Sequence, residues 1–205
     1  WILFLLAAVL FSAAVLMKVF PILIFIALAP LFRLTATQTD TENFWEHADL
    51  ILFTGDLVND KASEMNEFKV LFSQITAPMG VYSTLGNHDY GDYIKWPNDG
   101  ISKEENLNRL IKTHAEMGWR LLMNEHVVLE KEGDKIALLG VENWSAKGNF
   151  PKYGKMDLAY NGTEVYPFKI LMSHDPSHWH TEVRKNYPDV DLTLSGHTHG
   201  MQFGV

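Results

Sequence analysis

The chain has 205 residues, no cysteine and a formal net charge of −8, a length that sets one or two domains. An acidic balance with no basic stripe excludes a phosphate-backbone binder, whose affinity rests on Lys and Arg displacing counterions, so nucleic acid is not an expected partner. Without cysteine there are no disulfides and no thiolate metal sites, and any metal must be held by nitrogen and oxygen.

The charges are unevenly spread: residues 1 to 32 hold one, Lys18, and all 25 acidic residues come later. An apolar run of this length exceeds the roughly 7 to 15 residues of a signal-peptide core and lacks its basic start. It reads as a transmembrane anchor over residues 1–33, with hydrophobic segments 1–17 and 19–32 meeting near Lys18 and Pro21, the first of them truncated at its front. Residues 34–48 then form a linker or a deletion junction, and 49–205 an acidic globular domain.

In that domain "DLILFTGD" (49–56) suits a strand buried on both faces and ending at Asp56. A helix-like spacing over 61–75 and a second strand in "GVYSTLGNHDY" (80–90) complete a strand-helix-strand unit. Residues 103–118 carry a helical pattern closed by Gly118. The apolar stretches 120–130 and 135–141 flank Glu132-Gly133-Asp134, a hairpin turn. After a loop at 143–157, "PFKILMSHD" and "DVDLTLSGHTHG" are two more buried strands, each running into histidine.

Four strands thus end in Asp56, in Asn87-His88-Asp89, in His174-Asp175 and in His197-Thr198-His199. In open α/β sheets the C-terminal ends of the strands form the ligand crevice. One carboxylate, one amide and several imidazoles converging there make a donor set suited to a borderline divalent metal.

"GDLVND" (55–60), "GNHDY" (86–90), "SHD" (173–175) and "GHTHG" (196–200), in this order, resemble the calcineurin-like metallophosphoesterases, in particular their membrane-anchored bacterial branch. The resemblance implies an α/β fold, a metallophosphatase-like layered αββα sandwich with mixed sheets, here preceded by transmembrane helices. It implies two divalent metal ions (Mn, Fe, Zn or Ni): Asp56 would bridge them, Asn87, His174 and His197 would complete the second site, and His199 would serve the first. His88 would act as general acid or stabilise charge on phosphorus, with Asp89 orienting its ring. Gly196 and Gly200 would let the backbone turn tightly near the ions.

The reaction implied is hydrolysis of a phosphomonoester or phosphodiester by water activated between the metals. A membrane location makes a lipid-linked or cell-envelope substrate the expectation. The family pattern opens with a strand ending in Asp-x-His, and this chain offers only "QTDTEN" (38–43), too close to Asp49 for a parallel crossover. The first βα unit and the C-terminal strands are therefore expected to be missing. The alternative function is a catalytically inactive binding module that retains one metal. Among the remaining candidates, Asp40, Glu42 and His47 could replace the absent ligands. The segment 144–155, with Lys147, Lys152 and Lys155 among aromatics, could hold a phosphate or head group or be a solvated loop. His178 and His180 are expected at a rim or in solvent, and His114 and His126 are expected to be structural.

Overall fold

The computed structural model describes residues 24–25, 48–97, 100–148, 150 and 152–198. Four strands, β1 (Ile24–Phe25), β2 (Ile51–Phe53), β3 (Val81–Ser83) and β4 (Arg120–Leu121), pair in parallel and in chain order. A second sheet takes β5 (Glu125–Lys131), β6 (Asp134–Gly140), β7 (Lys169–Met172) and β8 (Leu192–Leu194) in the same fashion, but β5 runs antiparallel to β6. The helices are α1 (Lys69–Phe72), α2 (Lys103–Glu116), α3 (Met156–Tyr160) and α4 (Arg184–Asn186), the last continuing a π-helical turn at Trp179–Val183.

Side-chain alternation along the strands sorts these elements into layers. Ile51 and Phe53 point to one side of the first sheet, where they meet Leu110, Met117 and Trp119 from α2 and its exit. Leu50 and Leu52 point to the other side and pack against Ile136, Leu138, Ile170, Met172 and Leu194 of the second sheet. The opposite parity of that sheet, Ala137, Leu139 and Leu171, is covered by Met156, Ala159 and Val183. The order is helix, sheet, sheet, helix, and strands apolar on both faces are what such burial requires.

Local chemistry sets the element ends. Ser102 caps α2 by accepting from Glu105 N at 3.0 Å, and Gly118 at φ +79 closes it in the left-handed region that ends helices. Glu132 and Gly133 both take positive φ, the conformation a two-residue hairpin needs. The helix read over 61–75 is broken into a 3-10 segment at Ala62–Asn66 and the short α1. The Glu64 carboxylate folds back onto the N–H groups of Asn59, Asp60 and Lys61, and Ala62 N donates to Asn106 Oδ1 on α2, so the first turn serves the preceding loop.

At the amino end the structure differs from the sequence expectation. Within the apolar run 19–32, read as a membrane helix, Ile24–Phe25 is a strand, with Ile24 opposite Ile51 and Phe25 opposite Leu52. A short apolar run fits a buried strand as well as a helix, and periodicity does not tell them apart. β1 fills the place beside β2 that the sequence appeared to leave empty, and residues 26–50 are long enough for a parallel crossover, about a dozen residues. The remainder of the anchor and linker expectation, with Asp40, Glu42 and His47, lies outside the described residues. Among the described residues no helix is long and apolar enough to cross a membrane.

Candidate metal centre

The loops leaving β2, β3, β7 and β8 meet at one end of the two sheets. Asp56 follows β2 in the left-handed region, at φ 60, after Gly55 at φ 100. Aspartate tolerates this conformation better than most residues, and strain of this kind concentrates at functional sites. Three glycines let the loops close: a Cβ on Gly55 would lie 2.5 Å from Gly86 N, one on Gly86 2.7 Å from His174 Cε1, and one on Gly196 2.6 Å from Thr54 Oγ1. Gly196 is therefore needed for close approach to the neighbouring strand end and not, as its place in "GHTHG" suggests, for a turn.

His174 is 1% exposed, and its Nδ1 lies 2.7 Å from the Thr54 carbonyl oxygen. A carbonyl only accepts, so Nδ1 carries the proton and Nε2 of the neutral ring is a bare lone pair, the arrangement common to metal-ligating histidines. Around that Nε2 stand Asp56 Oδ2 at 3.0 Å, Asn87 Oδ1 at 3.2 Å and His197 Nδ1 at 3.3 Å. Asp56, His174 and His197 form a group whose ligand atoms all lie within 4.8 Å of one another. With the His174 ring neutral, lone pairs of all four residues face one another, and either a cation among them or a second proton on His174 relieves the repulsion. A carboxylate oxygen, an amide oxygen and two imidazole nitrogens fit a divalent ion of borderline character.

The second oxygen of Asp56, Oδ1, accepts from His88 N at 2.9 Å. Burial raises the Asp56 pKa, but the hydrogen bond and charge of His174, with the His88 N–H, outweigh it and hold the carboxyl below its ordinary value. Burial pulls His174 down, and its bond and charge pairing with Asp56 more than reverse this, raising it above the usual imidazole range. Burial and then the Asp56 charge push Asp89 up to about 7, against the N–H bonds of Gly86 and Val58.

Asp89 does something other than orient His88. Its fully buried carboxylate accepts from four backbone N–H groups, Asp56 and Gly86 on Oδ2 and Leu57 and Val58 on Oδ1, at 2.8 to 3.2 Å. It ties the loop after β2 to the loop after β3, because the tight left-handed turn at Asp56 leaves those N–H groups without ladder partners. The His88 ring instead bonds Asn59 O through Nδ1 at 2.9 Å and packs against the ring of Tyr93 at 4.7 Å between centroids. His178, expected at a rim, is fully buried: it stacks on Trp144 and bonds Ser173 Oγ at 2.9 Å, and burial lowers its pKa to about 4. His114 is buried against Ser83, and His126 bonds Ala159 O, both in structural roles. His199 and Gly200 lie outside the described residues.

Thr54 and Tyr93, which the sequence reading did not single out, and Asp175, which it placed beside His174 without a role, support the centre. Thr54 fixes the His174 tautomer, Tyr93 Oη accepts from Asn87 Nδ2 at 2.7 Å, and Asp175 Oδ2 lies 4.0 Å from His197 Nε2. Thr54 acts through its backbone and Tyr93 through a loop contact, and neither leaves a mark in residue spacing. Of the lysine-bearing segment 144–155, Lys147 lines, with Phe150, Asp175, Ser177, His180 and His197, a cleft of about 470 Å³ beside the centre, whereas Lys152 sits over the Trp144 ring.

Residues 25–201 match the family model of the calcineurin-like phosphoesterases. The chain belongs to that family. Among curated members of this calcineurin-like group, it is 28% identical over 159 residues to the metallophosphoesterase YkoQ of Bacillus subtilis, covering 75% of this chain and 51% of that protein. It is 29% identical to a zebrafish (Danio rerio) transmembrane protein with metallophosphoesterase domain, covering 75% and 33%. With the UDP-2,3-diacylglucosamine pyrophosphatase LpxG of Chlamydia muridarum it shares 28% identity, covering 77% and 55%. The chain thus spans between a third and just over half of the length of these relatives. The solved structure of Haemophilus influenzae NAD nucleotidase matches with a TM-score of 0.51 at 17% identity, covering 77% of this chain and 30% of that one, and bears out the calcineurin-like fold.

Proposed function

We propose that this chain forms the core of a metal-dependent phosphoesterase that hydrolyses a P–O ester bond. The observation that carries the reading is the convergence of Asp56 Oδ2, Asn87 Oδ1 and His197 Nδ1 on a His174 Nε2 whose opposite nitrogen is tied to a carbonyl. Asp56, Asn87, His174 and His197 would hold one divalent ion, and the family resemblance assigns Asp56 and His199 to a second. Mn, Fe, Zn or Ni bound there supplies a Lewis acid for a phosphoryl oxygen and lowers the pKa of a water.

The chain's own groups complete the chemistry. The His88 N–H holds Asp56 Oδ1, which keeps Oδ2 turned to the ion. The His88 ring, braced by Asn59 and Tyr93, delivers a proton to the leaving oxygen through the nitrogen that does not bond Asn59. The uncharged residues 1–17 ahead of β1 attach the protein to a membrane, which with the diacylglucosamine in the name of its relative LpxG favours a lipid-linked or cell-envelope phosphoester.

A second reading has its own support. Directly after β1, where the family's Asp-x-His would complete the first metal site, the sequence reads "IALAPLF", with no carboxylate or imidazole. This favours an inactive module that binds one metal. Metal content and turnover of an aryl phosphodiester by the purified chain separate the two. About two ions per chain and activity abolished by Asp56→Ala bear out the enzyme, whereas a single ion with no turnover sinks it and leaves the binding module.

A further inference from the structure

We propose that Asp175 is a positioning residue that holds the proton of the His197 ring on Nε2 and so leaves Nδ1 free to bind the cation. The inference rests on the metal centre described above. A neutral imidazole carries one proton, on either nitrogen, and the group facing one nitrogen decides what the other can do. With the proton on Nε2, His197 Nδ1 is a lone pair aimed at the ion; with the proton on Nδ1, the ring would present an N–H there and could not bind it.

For His174 that choice is made by the Thr54 carbonyl. His197 needs a device of its own, because its Nδ1 faces His174 Nε2 at 3.3 Å, with the Asp56 carboxylate in the same group, and these acceptors draw the proton toward Nδ1 when no ion is bound. Asp175 acts from the opposite side. Its Oδ2 lies 4.0 Å from His197 Nε2. That is longer than a hydrogen bond, but an ionised carboxylate attracts an N–H and repels a lone pair at this distance, and at 5% exposure little water screens it. The placement is built into the fold. The N–H groups of Gly196 and His197 both donate to the His174 carbonyl at 3.0 Å, which sets the loop after β8 beside Asp175. Ser177 N donates to Asp175 Oδ1 at 2.8 Å, which leaves Oδ2 turned toward the ring before any ion arrives.

The test is long-range nitrogen–proton NMR of the histidine rings in chelator-stripped protein at about pH 8, above the ordinary imidazole range, which reads the tautomer of each neutral ring with no ion or substrate present. In the wild type the His197 proton is expected predominantly on Nε2. In Asp175→Asn the Ser177 N–H can be accepted only by the amide oxygen, so the NH₂ end faces His197, repels an N–H at Nε2 and favours a lone pair there. The ratio of Nε2–H to Nδ1–H is then expected to fall about tenfold. Calorimetric titration of Mn²⁺ into the same stripped protein is the second readout. Outer partners of metal ligands are commonly worth about 10- to 100-fold in affinity, and Asp175→Asn is expected to weaken binding by about tenfold. Removing a negative charge near an ion would also weaken binding through its field alone, but would leave the proton where it was. An unchanged tautomer in the variant, whatever its affinity, or a changed tautomer with unchanged affinity, overturns the positioning role while leaving the metal centre standing. A wild-type ring with its proton on Nδ1 does the same and needs no variant to be seen. A wild-type chain that binds no Mn²⁺ overturns both.

Discussion

At Asp56 a left-handed backbone, four N–H groups gathered by one carboxylate and a glycine with no room for a methyl group act as a single device. Gly86 is the tightest part: a Cβ there would lie 2.6 Å from Asp56 N and 2.7 Å from His174 Cε1, and closer still to Asp56 Oδ1. Those neighbours are the backbone and carboxylate of Asp56 and a ring already bonded to Thr54, so none can give way without moving a proposed ligand. Gly86→Ala is therefore expected to cost about 1–3 kcal/mol of overpacking and to abolish stoichiometric metal binding, read by metal analysis after gel filtration. Asp89 is the second test at this scale. Its hydrogen bonds are to backbone N–H groups, so Asp89→Ala strands buried donors, each worth about 1–3 kcal/mol. The urea midpoint is expected to fall by the equivalent of at least about 3 kcal/mol. A variant with unchanged midpoint and lost turnover would instead make Asp89 the catalytic orienter that the Asn-His-Asp order suggests.

Among the elements, α2 lies across the first sheet with His114 buried beneath it, its Nδ1 2.9 Å from Ser83 Oγ on β3. Burial lowers the His114 pKa to about 4, against about 6.5 in the unfolded chain. Between those values the unfolded state binds a proton that the folded state refuses, so this group's contribution is present above about pH 6.5 and is lost as the pH falls toward 4. Asp89 and His174 shift upward and act with the opposite sign, so the informative quantity is a difference. Between pH 7 and 5 the wild-type urea midpoint is expected to drop further than that of His114→Gln; parallel profiles would show that His114 does not titrate across this range. The same elements show what a sequence carries. β2, β6, β7 and β8 are legible because strands covered on both faces must be apolar throughout, and the hairpin is legible because its turn demands positive φ at Gly133. β1 is not legible, since Ile24–Phe25 lies in a run whose residues suit a membrane helix equally well. The proposed ligands Asp56, Asn87, His174 and His197 stand in motifs of fixed order. Their supports, the Thr54 carbonyl and the Tyr93 hydroxyl, are selected by loop geometry that no spacing encodes.

For the molecule as a whole, the decisive fact is where the proposed ligands come from. Asp56 and Asn87 leave β2 and β3 of the first sheet, whereas His174 and His197 leave β7 and β8 of the second. Between the sheets the contact is apolar, with Leu50, Leu52 and Leu122 against Leu138, Ile170 and Met172, and such a layer resists separation without fixing direction. The bonds across the open end, His174 to the Thr54 carbonyl and to Asp56, supply that direction, and an ion among the four donors strengthens the same seam. On the proposed centre, metal binding would be folding energy. An ion at a hundred times its dissociation constant stabilises the native state by about 2.7 kcal/mol, and at about 2–4 °C per kcal/mol for a chain of this size the melting temperature is expected to rise by about 5–10 °C. His174→Ala and Asn87→Ala, taken from opposite sheets, should each abolish the metal-dependent rise. If either variant kept it, that side chain would not be needed to hold the ion, and its place in the proposed centre would fall.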